Sequence, residues 1–462
     1  MKKIYLNIED IFNIPTAVIY NPDMFKSIYH ISIDSRDIKK NTLFIAIKGE
    51  RFDGHDFIDD VVKKGAYAVI INEKYFKKLS EVEIPVITVK DTAIALGDVA
   101  RLWRSKLNAT VIGITGSAGK TTTKEILATL LSEKFKVNKT VANNNNHIGV
   151  PLTILSTNEK HNVLVAELGT NHFGEIPYTS KIVSPDLALI TNIGDSHLEY
   201  LKNRKGVFTE KVAILIETIK NGGKVFINNN DKLLKEFGKK IKNKITFALN
   251  EKADYRAAIK GYDKLARPQI EIKSKKNVFS TTLPISGEKN VLNFTVAYAI
   301  ACELGLTNSH IQKAVKKIKS YNKRLEIKNL KQFTLINDTY NANPDSMKSS
   351  LEILNRIESK KRKIAVLGDM FELGNESKSK HLDLASFINK TKVDEVYSIG
   401  KMMKLMNQKL NGKTKIHQHF IDRESLKKHL QKLEIKNSVV LVKGSRGMKM
   451  EEFVSIIEST KI

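Results

Sequence analysis

The chain has 462 residues, and its 77 lysines and arginines against 50 acidic residues give a formal net charge of +27. This length exceeds one hydrophobic core, and at about 150 residues per domain it predicts about three domains. The single cysteine, Cys302, excludes an internal disulfide and a cysteine metal cluster and fits a reducing cytoplasm. No apolar run reaches the ~20 residues of a membrane helix, and acids soon follow the basic start, so we expect neither membrane insertion nor a signal peptide.

The positive charge raises the question of a nucleic-acid partner, because basic surfaces release counterions from phosphate backbones. Here lysines are scattered through every segment, without an arginine cluster or a basic stripe interleaved with aromatic residues. We therefore expect no nucleic-acid partner. Some attraction for anionic substrates still follows from the charge.

The first block of the sequence covers residues 1–108. Apolar runs at 43–47, 67–71 and 86–89 predict three of its strands. Helical segments alternate with these runs, which is typical of an α/β domain.

The second block, residues 109–322, opens with a glycine-rich loop between a predicted strand at 110–114 and a predicted helix at 124–135. At a helix N-terminus, backbone N–H groups freed by glycines can surround phosphates. Lys120 would reach the β- and γ-phosphates, and Thr121 would give its hydroxyl to Mg²⁺. An ordinary glycine turn is the alternative, because Ile114 stands where the general pattern has glycine. The loop predicts binding of ATP and Mg²⁺ through Gly116, Ser117, Ala118, Gly119, Lys120, Thr121 and Thr122.

Two further polar residues of this block follow predicted parallel strands. Glu167 comes directly after the run at 163–166, and His197 follows the run at 187–190. Open α/β sheets place ligands at these strand ends, where a carboxylate and a neutral imidazole can hold a metal. Taken singly, Glu167 could cap a helix and His197 could be a structural hydrogen-bonding residue.

The third block, residues 323–462, has apolar runs at 333–336, 364–367, 396–399 and 439–442 with helical segments between them. This alternation predicts a second open α/β sheet.

These motifs together resemble the Mur ligases over nearly the whole chain. The central block carries Thr115–Thr121, whose family form also lacks the early glycine, and the asparagines and glycine-proline segment within 143–151. Further matching segments are Glu167–Asn171, Asn192–Glu199, Asn337–Met347, Leu367–Gly374, Val442–Met448, Asp34–Arg36 and Phe52–Phe57. The form of Asn337–Met347 is similar to that of the family member that adds D-Ala-D-Ala.

The resemblance implies a three-domain α/β architecture: an N-terminal UDP-substrate-binding domain (1–108), a central P-loop ATP-binding domain (109–322) and a C-terminal Rossmann-like ligase domain (323–462). It implies that the enzyme phosphorylates the terminal carboxylate of UDP-MurNAc-tripeptide with ATP. The amine of D-Ala-D-Ala then attacks the acyl phosphate, which gives UDP-MurNAc-pentapeptide for peptidoglycan synthesis. We expect these two substrates as partners and a cytoplasmic monomer.

The resemblance also assigns roles to residues around ATP. It implies catalytic roles for Lys120, His197, Lys211 and Arg324, and metal ligation by Thr121, Glu167, His197 and Lys211. Lys211 occupies the position of a carbamylated lysine in the family, although its neighbours depart from the family pattern and an ordinary surface lysine is the alternative. Asn290 would contact adenine, Arg324 a phosphate and Asp338 the ribose.

In the first block, Ser35 and Arg36 are the residues expected to bind the UDP-sugar, since a guanidinium suits phosphate. Asp53, Gly54 and His55 are further candidates for substrate binding, but Asp53-Gly54 could also form a turn.

Three other functions stay open at this point. The nearest are a family member that adds a single amino acid and a folylpolyglutamate synthase that shares the ATPase core. The form of the loop at 340–347 and the motifs of the first block argue against both. The third is a basic P-loop ATPase that acts on nucleic acid.

Overall fold

Three β-sheets lie along the chain, one in each predicted block. The structure is a computed structural model that describes residues 4–78, 83–321, 323–357, 361–412 and 414–459. One buried apolar cluster includes residues of all three blocks, among them Leu96, Ile190 and Leu351. The three blocks therefore share a continuous packed interior. Among the described residues, no helix combines the length and the apolar character needed to cross a membrane.

The first sheet has five strands in the order β1-β5-β4-β3-β2, parallel except for β1. Asp91 caps the long helix that follows this sheet by accepting hydrogen bonds from Ala93 N and Ile94 N. That helix also joins the first block to the second, because Trp103 donates from Nε1 to the carbonyl of Thr157 at 2.8 Å. The elements are α1 (Ile8–Phe12), β1 (Val18–Tyr20), β2 (His30–Ser32), β3 (Thr42–Ile45), α2 (Ile58–Lys63), β4 (Ala66–Asn72), β5 (Val86–Val89) and α3 (Thr92–Lys106).

The second sheet has nine strands in the order β14-β13-β12-β11-β10-β9-β6-β8-β7. Its strands are parallel up to β12, whereas β13 and β14 add an antiparallel meander that the apolar runs did not predict. Its elements are β6 (Thr110–Thr115), α4 (Lys120–Leu131), β7 (Val137–Lys139), α5 (Gly149–Leu155), β8 (Val163–Glu167), α6 (Glu175–Val183), β9 (Leu187–Ile190), α7 (Leu198–Leu201), α8 (Arg204–Lys220), β10 (Lys224–Asn228), α9 (Lys232–Lys239), β11 (Lys244–Leu249), β12 (Tyr255–Tyr262), β13 (Pro268–Lys273), β14 (Val278–Thr282), α10 (Glu288–Glu303) and α11 (Asn308–Val315).

The third sheet has six strands in the order β15-β16-β20-β17-β18-β19, parallel except for β15. The predicted α/β fold with three domains is confirmed. The elements are β15 (Glu326–Asn329), β16 (Thr334–Asp338), α12 (Pro344–Arg356), β17 (Arg362–Gly368), α13 (Ser377–Ile388), β18 (Glu395–Ile399), α14 (Lys401–Asn407), β19 (Ile416–Phe420), α15 (Arg423–Lys432), β20 (Ser438–Lys443) and α16 (Glu451–Ser459).

The sheets of the second and third blocks place their carboxyl ends around one cavity. β8 ends at Glu167, and the loop after β6 begins at Gly116. From the other side, β16 ends at Asp338 and β20 at Lys443. The cavity therefore lies where open α/β sheets bind ligands.

Candidate active site

A cavity of about 360 Å³ lies between the second and third blocks. It brings together most of the residues that the sequence predicted for ATP and metal binding. Those that line it are Ser117, Ala118, Gly119, Lys120, Thr121, Thr122, Glu167, His197, Asn290, Arg324 and Asp338. Gly116 and Lys211 lie outside its lining, and the predicted substrate residues of the first block lie elsewhere.

The loop from β6 to α4 has the backbone of a phosphate-binding loop. Gly116 and Gly119 have φ angles of 149° and 84°, which favour glycine. A Cβ atom at Gly119 would also approach Oδ1 of Asn293 to 2.7 Å. Lys120 folds back over the loop and donates from Nζ to the carbonyl of Gly116 at 2.7 Å. The loop thus holds a cation at the N-terminus of α4.

Burial lowers the pKa of Lys120, while the carboxylate of Glu167 opposes this shift and the guanidinium of Arg324 adds to it. The charges of Lys120 and Arg324 therefore repel each other within the cavity. Such a site favours a polyanion, because a bound phosphate chain would relieve the repulsion between them.

Glu167 is 2 % exposed and is held by three neighbours. Thr121 donates from Oγ1, and Asn145 from Nδ2, to its Oε1 atom at 3.0 Å each. The Nζ atom of Lys124 lies 3.2 Å from Oε2, which receives no hydrogen bond from the described residues. The helix that begins at Lys120 brings Lys124 there, since residues four apart share one face.

These residues fit Mg²⁺, which binds through one or two carboxylates together with substrate phosphates and water. Thr121 Oγ1 and Glu167 Oε1 provide two adjacent oxygens beside the phosphate loop. Within the described ranges, no group of three or more His, Cys, Asp or Glu side chains could by itself hold a metal ion. A bound nucleotide would therefore have to supply part of the coordination.

His197 lies just before α7 with a φ angle of 53°, in the left-handed region. Its Nδ1 atom is 2.7 Å from Oε2 of Glu372, a residue of the third block. The contact with His197 lowers the pKa of the Glu372 carboxyl. The predicted metal ligand of the second block thus touches a carboxylate that the sequence did not single out.

Lys211 is fully buried on α8, so the surface-lysine alternative is wrong. Its Nζ atom has no hydrogen-bond partner among the described residues. Burial holds the pKa of Lys211 well below its ordinary value, and the charge of Lys120 lowers it further. Burial therefore favours the neutral amine of Lys211 over the ammonium.

Arg324 and Asp338 face the cavity from the third block. The guanidinium of Arg324 stacks on the ring of Tyr340 with 3.8 Å to the ring centre, and its buried Nε has no partner among the described residues. Asp338 accepts from Leu325 N at 3.0 Å and, at Oδ2, from Lys443 Nζ at 2.5 Å. Arg324 keeps a free donor for a ligand, whereas Asp338 is already held in place.

Asn290 lies in the first turn of α10 and lines the same cavity. Its Nδ2 donates to the carbonyl of Ser286 at 2.8 Å, and its Oδ1 accepts from Asn293 at 3.1 Å. The neighbouring Lys289 donates to the carbonyl of Asp345 at 2.7 Å, across to the third block. The predicted adenine contact of Asn290 stays a prediction.

In the first block, Asp53 opens a 3-10 turn over Gly54–Phe57 by accepting from His55 N. His55 is buried, with Nδ1 2.6 Å from Asp53 Oδ1 and Nε2 accepting from Asn72 N at 3.0 Å. A Cβ atom at Gly54 would approach Ile47 N to 2.7 Å. This geometry fits the alternative of a turn, and all the polar atoms of the His55 ring are used within the domain.

Arg36 is exposed and pairs with Asp34 at 2.7 Å, and Ser35 lies beside it with its carbonyl accepting from Lys64 Nζ at 3.1 Å. These two residues are accessible to a ligand. Their role toward the UDP-sugar stays a prediction.

Sequence reasoning assigned no role to several residues of the cavity region. The spacing of Lys124, one helical turn after Lys120, could have indicated that it lies near the site. The others stand in motifs that were noted only as segments: Asn145, Tyr340, Glu372 and Lys443.

Family models match all three blocks: "Mur ligase family, catalytic domain" at residues 27–104, "Mur ligase middle domain" at 114–301 and "Mur ligase, glutamate ligase domain" at 323–446. The chain belongs to the Mur ligase family.

Individual relatives match over most of their length. The UDP-N-acetylmuramoyl-tripeptide–D-alanyl-D-alanine ligase of Bacillus subtilis is 33% identical, with 98% of each chain covered. The Haemophilus influenzae ligase of the same name is 36% identical over 92% of each chain. Among solved structures, MurF from Acinetobacter baumannii superposes with a TM-score of 0.87 at 30% identity over 99% of each chain. MurF from Thermotoga maritima in complex with ADP has a TM-score of 0.82 at 30% identity, covering 93% of this chain and 97% of that one.

Proposed function

We propose that this protein is the ATP-dependent ligase that joins D-Ala-D-Ala to UDP-MurNAc-tripeptide and so forms UDP-MurNAc-pentapeptide for peptidoglycan synthesis. The observation that carries this function is the cavity that sets the phosphate loop and Glu167 opposite Arg324 of the third block. The extent of the match to the D-alanyl-D-alanine ligases supports the choice of substrates.

The first step is transfer of the γ-phosphoryl group to the terminal carboxylate of the tripeptide, with ADP as the leaving group. Lys120 and Arg324 would hold and neutralise the phosphates, which is the main demand of phosphoryl transfer. Arg324 has for this task an Nε atom that no described residue engages. In the second step the amine attacks the acyl carbon, phosphate leaves and the amine gives up a proton.

Thr121 and Glu167, with His197 nearby in the cavity wall, are the residues that would hold Mg²⁺. When bound, Mg²⁺ would offset the negative charge that develops on the phosphate oxygens. Asn145 and Lys124 keep the Glu167 carboxylate in place. The chain therefore orients its metal-binding oxygen before nucleotide arrives.

We further propose that Lys211 is carbamylated. Its neutral amine would attack the carbon of CO₂ and release one proton, which yields an anionic carbamate in place of the amine. Burial lowers the pKa of Lys211, which favours the neutral amine that this reaction needs. The nearby charge of Lys120 disfavours a second cation but attracts an anion, so the carbamate would be stable there and would support the metal site.

The test is phosphate release from ATP and Mg²⁺ with purified protein, UDP-MurNAc-tripeptide and D-Ala-D-Ala, each substrate omitted in turn, together with the mass of the product. Release that needs both substrates, with a pentapeptide product, supports the ligase. Release without dependence on either substrate would contradict it. Replacing D-Ala-D-Ala by single amino acids separates this activity from that of a ligase that adds one residue.

A further inference from the structure

The phosphate loop packs against the segment that follows β9. Pairing of β6 with β9 continues beyond the two strands, where Thr191 N donates to Thr115 O at 2.9 Å and Ser117 N to Asn192 O at 3.1 Å. The two chain segments lie so close that a Cβ atom at Gly116 would approach Thr191 Oγ1 to 1.9 Å. The glycine therefore allows the loop to lie directly on this segment.

Two side chains of the segment hold the backbone of one loop residue, Ala118. The side-chain amide of Asn192 pairs with it in both directions, because Oδ1 accepts from Ala118 N at 3.1 Å and Nδ2 donates to Ala118 O at 3.3 Å. Thr191 Oγ1 donates to the same carbonyl at 2.5 Å. Two donors thus fix the direction of the Ala118 carbonyl.

The direction of this carbonyl determines where the next N–H group points. The peptide group between Ala118 and Gly119 is planar and trans, so the C=O of Ala118 and the N–H of Gly119 point in opposite directions. The N–H of Gly119 is therefore directed away from Thr191 and Asn192.

The N–H groups of the loop fall into two sets. Those of Ser117 and Ala118 are already bonded to Asn192. Those of residues 119–122 are the first four of α4, which a helix leaves without intrahelical partners and which can bind phosphate. The second set therefore supplies the backbone donors for a phosphate chain.

We propose that Thr191 and Asn192 are positioning residues of the nucleotide site, which hold the Ala118 carbonyl so that the Gly119 N–H donates to phosphate. In this role they act through the loop and not by contact with the nucleotide. The inference rests on the proposed binding of ATP by this loop. It adds that the end of a neighbouring strand sets the direction of a phosphate donor.

The test is the Kd for ADP, measured at equilibrium by calorimetry without either ligase substrate. T191V removes the hydroxyl and nearly keeps the shape of the side chain, whereas N192A removes both bonds of the amide. A misdirected N–H loses a hydrogen bond to a charged group, so each variant should raise the Kd for ADP about tenfold. T191S keeps the hydroxyl and should recover most of the affinity that T191V loses. The Kd for adenosine, which has no phosphate, should stay the same in all three variants.

N138A is the matched control for N192A. Asn138 also donates from its side-chain amide, to Ser156 Oγ at 3.0 Å and Thr157 Oγ1 at 2.9 Å, but it lies outside the cavity lining. N138A should therefore lose unfolding free energy and still bind ADP like the unchanged protein.

The possible failures can be told apart. Equal weakening of ADP and adenosine binding in N192A would mean that Asn192 only stabilises the domain, which contradicts the proposal. If the unchanged protein does not bind ADP, the ATP site and this inference both fail. ADP binding that depends on Thr191 and Asn192, in a protein without ligase activity, would support this inference and contradict the proposed ligase function alone.

NMR of the Gly119 amide gives a second readout. The pair Ala118-Gly119 is the single Ala-Gly step in the sequence, so labelling alanine carbonyls with ¹³C and glycine nitrogens with ¹⁵N selects one signal. We expect the amide proton of Gly119 to move downfield when ADP binds, because a hydrogen bond to phosphate deshields it. The shift should shrink in T191V and N192A and persist in N138A. No shift in the unchanged protein would overturn the proposal.

Discussion

Arg324 and Tyr340 form a stacked pair in which the guanidinium lies 3.8 Å from the ring centre, at the wall of the cavity between the central and C-terminal domains. Arg446 approaches the same ring, at 5.0 Å from its centre. The stack fixes the plane of the Arg324 guanidinium, while its Nε has no hydrogen-bond partner in the part of the chain that the structure describes. Tyr340 therefore prepares Arg324 for a phosphate.

The first prediction concerns this stack. Y340L leaves the Arg324 charge in place but frees its orientation, which should cost about 1–2 kcal/mol, or about 5- to 30-fold in kcat/KM for ATP. The matched control is Y262L, because Tyr262 stacks on Arg356 at the same 3.8 Å but both residues lie outside the cavity lining. Equal losses in the two variants would mean that the stacks serve domain docking and not nucleotide binding.

The second prediction concerns the buried pair of Glu167 and Lys124. E167Q removes the charge that Lys124 faces at 3.2 Å, so it should lose both turnover and about 3–5 kcal/mol of unfolding free energy. The double variant E167Q/K124M removes both charges and should recover most of that stability. Denaturant unfolding and phosphate release measure the two effects.

In that double variant, activity should stay at least 100-fold below that of the unchanged protein, because the metal-binding carboxylate is missing. Recovery of turnover together with stability would show that Glu167 has a structural role only.

The sequence was enough to predict the three α/β domains, because parallel strands such as β6, β8 and β9 are continuous buried apolar runs. The meander of β13 and β14 was not predicted, since its strands are half exposed and carry few apolar residues in a row. Period-two patterns of this length are weak signals.

For the site, the phosphate loop and Glu167 could be predicted because each lies at the carboxyl end of a strand of one sheet. Contacts between domains could not be predicted. Glu372 approaches His197, and Tyr340 stacks on Arg324, only through the relative placement of two sheets, which no local pattern encodes. The same limit applied to Lys211, whose burial depends on how α8 packs.

The third prediction tests the carbamate of Lys211. K211A should lose about 100-fold or more in turnover, and short carboxylates such as formate or acetate should restore part of it by replacing the carbamate. The control is K205A on the same helix, which removes an exposed lysine and should leave turnover unchanged. Normal turnover of K211A would rule out the carbamate role.

The pH dependence of the carbamate follows from the same group. Because burial lowers the pKa of Lys211, the amine stays neutral down to a lower pH than that of an ordinary lysine and becomes protonated as the pH falls through the folded value. Activity should therefore fall at low pH, and added bicarbonate should oppose the fall. Isotopically labelled bicarbonate should give a carbamate NMR signal that K211A lacks.

The fourth prediction separates substrate binding from structure in the first block. R36A should raise the KM for UDP-MurNAc-tripeptide about tenfold or more and leave unfolding unchanged, because Arg36 is exposed and, among the described residues, pairs with Asp34 alone. H55A should instead lose about 2–3 kcal/mol of unfolding free energy, because Asn72 N and Asp53 would lose a buried partner. Its KM below the melting temperature should be unchanged, and a raised KM would support the predicted substrate role of His55.

The structural role of Asp53 predicts that its contribution to the unfolding free energy depends on pH. Burial raises the pKa of Asp53, but the hydrogen bonds from His55 and Tyr75 outweigh burial and leave the pKa below its ordinary value of 3.8. A group whose pKa is lowered by folding stabilises the protein above its unfolded pKa, and this stability is lost as the pH falls through the folded pKa. The loss of unfolding free energy in D53N should therefore be full at neutral pH and shrink below about pH 4. A destabilisation that does not change with pH would mean that the charge of Asp53 contributes nothing to the turn.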